Sequence, residues 1–212
     1  MGDFEQIYGT GLIVEETRRR PDNHGHDLES YRERYKEFPE SIKATGEDGV
    51  VASYLMKSGA MVQFTYIGGG RGSRAFERSV HGRDGALYAP GDRNGNQVVL
   101  NLGGNELRGK DILSLLPDFS MTEITERLFG KNTVQYELTF PEIDAKHMAI
   151  EFHDFGESIR TGATPEVDGY VGMTAVAAIL GAYESAACGR AVTMEEVMSG
   201  DVNSYQKEID EA

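Results

Sequence analysis

Between Phe155 and Val197 the chain is so heavily punctuated that one local arrangement fits it: a helix end, a turn, a long helix, then a short one. Gly162 stands where a helix C-cap takes a left-handed residue, Pro165 blocks immediate resumption, and Asp168 is placed to cap the next helix by accepting from its free N–H groups. Gly189 closes that second helix in the same way. Thr193 and Glu196 then have capping-box spacing, with Val192 and Val197 at the two hydrophobic-staple positions. The middle helix, Gly169 to Ala187, would be about 28 Å long at 1.5 Å per residue. Met173, Val176, Leu180 and Tyr183 recur at helical spacing and predict its core stripe. Gly172, Ala175, Ala178, Ala182 and Ser185 form a second stripe, small enough for another backbone to come close. Charge is nearly absent around the helix, which predicts burial on more than one side.

The upstream part reads mainly as strands. Phe4 to Val14 carries two glycines, which mark a bulge or a close backbone approach. Residues 15–43 form a polar insert from the sheet, with a short helix expected over Tyr31 to Lys36. Gly49 to Lys57 and Ala60 to Ile67 alternate as strands around a Ser58-Gly59 turn, with Gln63 and Thr65 on the face opposite Val62, Phe64 and Tyr66. Further strands are expected at Ser73 to His81, Ala86 to Ala89 and Gln97 to Leu102. Such a meander makes an antiparallel sheet with one apolar face, and the long helix is its expected cover. Beyond it the pattern predicts a short helix near Met121 to Phe129 and a strand near Thr133 to Phe140. A helix capped by Asp144 then runs to Thr161, with Met148, Phe152, Phe155 and Ile159 on one face. Val202 to Ile209 either extends the last helix or packs as a tail.

Several of these elements occur in an order with a known parallel. Phe155 to Ile159 followed by Arg160-Thr161-Gly162, Pro165-Glu166-Val167-Asp168-Gly169, Tyr183-Glu184-Ser185-Ala186 and Gly189-Arg190-Ala191-Val192 resembles the end of the glucose-fructose oxidoreductase / inositol dehydrogenase / rhizopine-catabolism (Gfo/Idh/MocA) family. The Lys57-Ser58-Gly59-Ala60 hairpin and His81-Gly82-Arg83-Asp84-Gly85 are similar to that pattern as well. The resemblance is to the C-terminal domain only. It implies an α+β fold, a large, mostly antiparallel sheet with helices packed on one face, so residues 1–212 are expected to form a single domain bearing the insert.

For a full-length relative the resemblance implies hydride transfer between NAD or NADP and a sugar or polyol. The Gly-x-Gly-x-x-Gly loop, the Glu-Lys-Pro lysine and the Asp-x-Gly-x-His-like segment of such enzymes have no counterpart in this sequence. Met1-Gly2-Asp3 is similar to the junction ahead of the second domain's first long strand, so the expectation is a chain without its cofactor half. No catalytic, cofactor-binding or metal-binding residue is assigned, and the chain alone is expected to be inactive. The resemblance also implies that the open sheet face serves association and substrate contact. Gln63, Thr65, Arg71, His24 and His26 are the candidate polar contacts, and a homo-oligomer through the sheet is expected. A separate cofactor-binding domain or subunit is the other expected partner. The alternative is a stand-alone, non-catalytic module that dimerises through its sheet or binds carbohydrate.

Composition narrows the partners. A formal net charge of −14 disfavours nucleic acid, which is bound through clustered Lys and Arg. The single cysteine, Cys188, cannot form an internal disulfide, which favours a reducing compartment. The N-terminus lacks the basic and apolar regions of a secretory signal, and the weakly polar run Val171 to Ala182 reads as too short for a bilayer. A cytoplasmic protein without membrane contact is expected.

Two glycine clusters invite a nucleotide. Gly104 to Lys110 fits the first seven positions of a phosphate-binding loop, but Asp111 stands where a Ser or Thr hydroxyl is required, so a plain turn is expected. Gly68 to Gly72 fails the dinucleotide register because Ser73 occupies the third glycine position. His24 and His26, in a polar loop, are expected to be solvated rather than metal ligands.

Overall fold

Caps, glycines and alternation set most boundaries in the computed structural model, which describes residues 3–20, 29–68, 77–91 and 93–211. Along the chain the elements are β1 (Phe4–Leu12), β2 (Thr17–Arg19), α1 (Glu29–Lys36), β3 (Ser41–Lys43), β4 (Gly49–Met56), β5 (Met61–Ile67), β6 (Arg78–His81), β7 (Gly85–Ala89), β8 (Val99–Leu102), β9 (Asn105–Arg108), α2 (Lys110–Ser114), α3 (Glu123–Phe129), α4 (Phe140–Thr161), α5 (Gly169–Cys188), β10 (Val192–Thr193), α6 (Met194–Ser199) and α7 (Ser204–Asp210). The protein is α+β, and each strand pairing among the described residues is antiparallel. Residues 1–70 with 167–212 form one unit, and residues 71–166 a second.

In the first unit the sheet order is β10-β1-β4-β5, and β2 pairs with β3 as a separate ribbon inside the insert. Alternation sends Ile7 of β1 and Val50, Ala52 and Tyr54 of β4 to one face, where they meet Ala178 and Ala182 of α5. Gly9 lets the two backbones touch, since a Cβ there would lie 2.2 Å from the Ala182 carbonyl oxygen. β10 reaches only Gln6 and Ile7, and beyond it the Gly9 N–H donates to Ser185 Oγ at 3.0 Å. That hydroxyl in turn donates to the Arg190 carbonyl. The punctuation holds as expected: Asp168 accepts from the Val171 N–H, Gly162 and Gly189 are left-handed caps, and Thr193 with Glu196 closes a capping box.

The expected core stripe of α5 is corrected. Of its members Tyr183 packs against the core, but Met173, Val176 and Leu180 are exposed, and the buried face consists of Ala177, Ala178, Gly181, Ala182, Glu184 and Ser185. Large side chains do not fit where helix and strand backbones touch, so the small stripe takes the sheet. The run Val171 to Ala182, expected to be too short for a bilayer, lies inside a helix that at 20 residues is long and apolar enough, by length and composition, to cross one. The described contacts nonetheless commit one side of it to β1.

Glu196 does more than cap. It takes two hydrogen bonds from the Arg190 guanidinium and one from the Thr193 N–H. The guanidinium first, then the backbone bond, hold its carboxyl at about 2, down from the ordinary 4.5. A depressed folded-state pKa contributes stability above the unfolded value and loses it as pH falls through the folded one. The melting temperature of the wild type is therefore expected to fall more steeply than that of Glu196→Gln between pH 4.5 and about 2. Parallel curves would show that the carboxylate is not held this way.

In the second unit β6-β7-β8-β9 form a four-stranded sheet, so the expected meander is divided over two sheets. Gly103 and Gly104, at φ 56° and 82°, make the two-residue turn from β8 to β9, and the stretch resembling a phosphate loop is a hairpin strand. α3 lies where a short helix was expected and is capped by Thr122. The strand expected over residues 133–140 is not formed. Thr133 Oγ1 donates to the carbonyls of Phe129 and Gly130, and the Tyr136 ring packs on Phe129 with centroids 5.0 Å apart, which ties the segment to the end of α3. α4 starts four residues before Asp144, capped by a Thr139–Glu142 box with Pro141 in its first turn. Asp144 instead pairs with Arg93 at 2.7 Å.

Candidate functional site

The outward face of the first unit's sheet is built by the same alternation that fills its core. Register places Tyr8, Ser53 and Gln63 in one row and Thr10, Val51 and Thr65 in the next, across β1, β4 and β5. Gln63 and Thr65 therefore lie where the sequence puts them, side by side on the exposed face of β5. Met61 at 81% exposure, with Ile67, Leu12 and Leu55, frames the polar rows with uncovered apolar area. His24, His26 and Arg71 lie outside the described residues, as does most of the Gly68 to Gly72 cluster.

This face offers hydroxyls and an amide, with the phenol of Tyr8 beside them. Ser53, Thr10, Gln63 and Thr65 do not titrate near neutral pH, and among the described residues none of their side chains has a hydrogen-bond partner. They can donate to and accept from a ligand's hydroxyl groups, while the apolar frame favours a covering surface. Among the described residues of this face, none forms a cluster that could hold a pyrophosphate.

The insert that carries His24 and His26 is fixed at its base by Asp48, a residue the sequence reading passed over. Its carboxylate accepts the N–H groups of Val14 and Glu15 and pairs with Arg18 at 3.7 Å. The two backbone bonds, and then Arg18, hold the Asp48 carboxyl below its ordinary range. A second tie lies close in sequence. The Tyr205 O–H donates to Glu47 at 3.0 Å, and burial, then that hydrogen bond, push Tyr205 up to about 12.

The first unit also has a cavity of about 590 Å³ at the start of β1, floored by Phe4, Met194 and Met198 and edged by Tyr170, Lys57 and Asp3. Lys57 and Asp3 face each other at 3.4 Å, so the cation is neutralised within the wall. Among the described residues no group of three or more His, Cys, Asp or Glu side chains could hold a metal ion.

No protein-family model matches the chain, and no curated protein does. Solved structures do. An NAD-binding oxidoreductase from Klebsiella pneumoniae matches with TM-score 0.59 at 17% identity, over 91% of this chain and 46% of its own. Levoglucosan dehydrogenase in its apo form matches with TM-score 0.60 at 16%, over 90% and 46%. A super-repressor mutant of Gal80p from Saccharomyces cerevisiae gives 0.53 at 16%, over 93% and 46%. The chain shares its fold with part of each of these structures. It spans a little under half the length of the structures it matches.

Proposed function

We propose that this chain supplies the substrate-side and oligomerisation half of an NAD- or NADP-dependent sugar or polyol oxidoreductase, and that residues other than these hold the nicotinamide. The observation that carries the reading is the match over nine-tenths of this chain and under half of enzymes solved as NAD-binding or as levoglucosan dehydrogenase. The open face adds support: Gln63, Thr65 and Ser53 suit a polyol's hydroxyls, and Met61 and Ile67 suit a second copy of the sheet. Hydride transfer needs a held cofactor as well as a group that takes the alcohol proton, and the described open face gathers no site for the cofactor.

Titrating the full chain with NAD and NADP tests the first half of this reading. No binding is expected, and tight binding of either overturns it. Light scattering at micromolar concentration tests the second half. A dimer or larger assembly is expected, and Met61→Lys combined with Ile67→Lys is expected to return it to a monomer. A monomeric wild type overturns association through this face.

The likeness to a super-repressor mutant of Gal80p keeps a second reading, a stand-alone, non-catalytic module that dimerises through its sheet or binds carbohydrate. An in-frame Gly-x-Gly-x-x-Gly segment in the coding DNA immediately upstream would decide for the oxidoreductase.

A further inference from the structure

The second unit carries an open cleft of about 470 Å³ between the Asn94–Asn96 turn, the extended Gln135–Thr139 segment and the first turn of α4. Its walls are set by backbone and side-chain bonds rather than by chance. Gly95, at φ 65°, is buried and seated on Tyr136, where a Cβ would fall 2.0 Å from the carbonyl oxygen, and the Tyr136 N–H donates to the Gly95 carbonyl. Asn94 Oδ1 accepts the Asn96 N–H at 3.0 Å, which closes the turn. Behind this wall, Gln97 Nε2 donates to Gln135 Oε1 at 2.8 Å and fixes the plane of that amide. Glu142 Oε2 is held by the N–H and hydroxyl of Thr139.

Those bonds use one end of each group and leave the other end free. Asn94 and Gln135 keep their NH₂ groups, Glu142 keeps its second oxygen, and Asn96 and Glu137 keep their whole side-chain polar groups, with no partner among the described residues. The cleft therefore presents amide donors beside carboxylate and amide acceptors, and among the described residues its lining includes no cation, Lys146 acting on Glu142 from the next turn of α4. A hydroxyl needs one donor and one acceptor at once, and a run of hydroxyls needs them in alternation. Phosphates and sugar acids would meet Glu137 and Glu142 as like charges. Two carboxylates fall short of a metal's ligand set, consistent with the lack of a three-residue cluster among the described residues.

We infer that this cleft binds a neutral polyhydroxylated ligand, a sugar or polyol, through Asn94, Asn96, Gln135 and Glu137. The inference goes beyond the reading above, which places polar contacts on the sheet of the first unit, and takes the ligand class from the cleft's own chemistry. The test uses the full chain and saturation-transfer NMR with myo-inositol and D-glucose as neutral probes and D-gluconate as the anionic one. Binding of a neutral probe is expected, with gluconate weaker. Glu137→Gln and Asn96→Ala, both at exposed positions and checked for fold by circular dichroism, are each expected to weaken it about tenfold, whereas Lys131→Ala, exposed and outside the cleft, leaves it unchanged. No binding of either neutral probe at concentrations up to about 50 mM overturns the inference. So does gluconate binding as tightly as glucose, or binding that Glu137→Gln and Asn96→Ala leave intact. A chain that assembles and ignores NAD but fails here would lose the cleft and keep the proposed function.

Discussion

Replacing Gly9 by alanine is expected to lower the stability of the chain by about 3 kcal/mol, the upper end of the range for overpacking a filled interior. The added methyl would sit 2.2 Å from the Ala182 carbonyl oxygen and 2.7 Å from both its carbonyl carbon and Cα. Those are helix backbone atoms, so no rotamer change can relieve the contact, and α5 would have to lift from β1 as a body. Lifting it also stretches the bond from the Gly9 N–H to Ser185 and exposes Ile7, which is fully buried. Gly11→Ala in the same strand is the control. Its methyl would meet Glu47 Cγ at 2.9 Å, the stem of a flexible side chain whose shift loosens at most its bond from Tyr205, so a cost of about 1 kcal/mol is expected. Urea unfolding measures both, with the midpoint shifted and the slope unchanged. If Gly9→Ala unfolds with the wild type, helix and strand do not touch there.

That contact also shows what the sequence could and could not disclose. Capping is local chemistry, so Asp168, Gly162, Gly189 and the Thr193–Glu196 pair were legible, as was the Ser58-Gly59 hairpin. Periodicity reveals that a helix has an apolar face but not which face the sheet takes, and Met173, Val176 and Leu180 were assigned to the core for that reason. The usable signal was the pairing of a glycine inside a strand with a stripe of Ala, Gly and Ser, the two halves of one close approach. Thr139-Phe140-Pro141-Glu142 spells the capping box that starts α4, but the strand-like alternation ahead of it masks the signal. Of the site, alternation put Gln63 and Thr65 on the open face. The cleft of the second unit could not be read this way. Its walls, Asn94–Asn96 and Gln135–Glu142, are some 40 residues apart and joined through an irregular segment with no period to follow.

Glu184→Ala is expected to release α7 and to cost about 3 kcal/mol, since hydrogen bonds to a charged group contribute about 1.5–3 kcal/mol and two are lost together. Glu184 is 5% exposed near the C-terminal end of an apolar helix, where a carboxylate needs a reason to stay. Its two oxygens accept the N–H groups of Tyr205 at 3.0 Å and Gln206 at 3.1 Å, in the first turn of α7. Asn203 precedes that helix but makes no side-chain cap bond, so α5 supplies the cap from outside. The neighbouring Tyr183 stacks on Tyr205 at 4.9 Å, and Val202 is buried in the core just ahead. Removing the carboxylate leaves two N–H groups without an acceptor, and a seven-residue helix has little propensity of its own to hold it together. Glu184→Gln keeps one acceptor oxygen and is expected to fall between. Tyr205→Phe loses only the bond to Glu47 and should cost about 1 kcal/mol. Amide exchange over residues 204–210 distinguishes the outcomes. Fast exchange there in Glu184→Ala, with β1 and β4 still protected, is what an external cap requires. Unchanged protection would place the anchoring in the aromatic stack and Val202 instead, and would leave the buried carboxylate without a structural role.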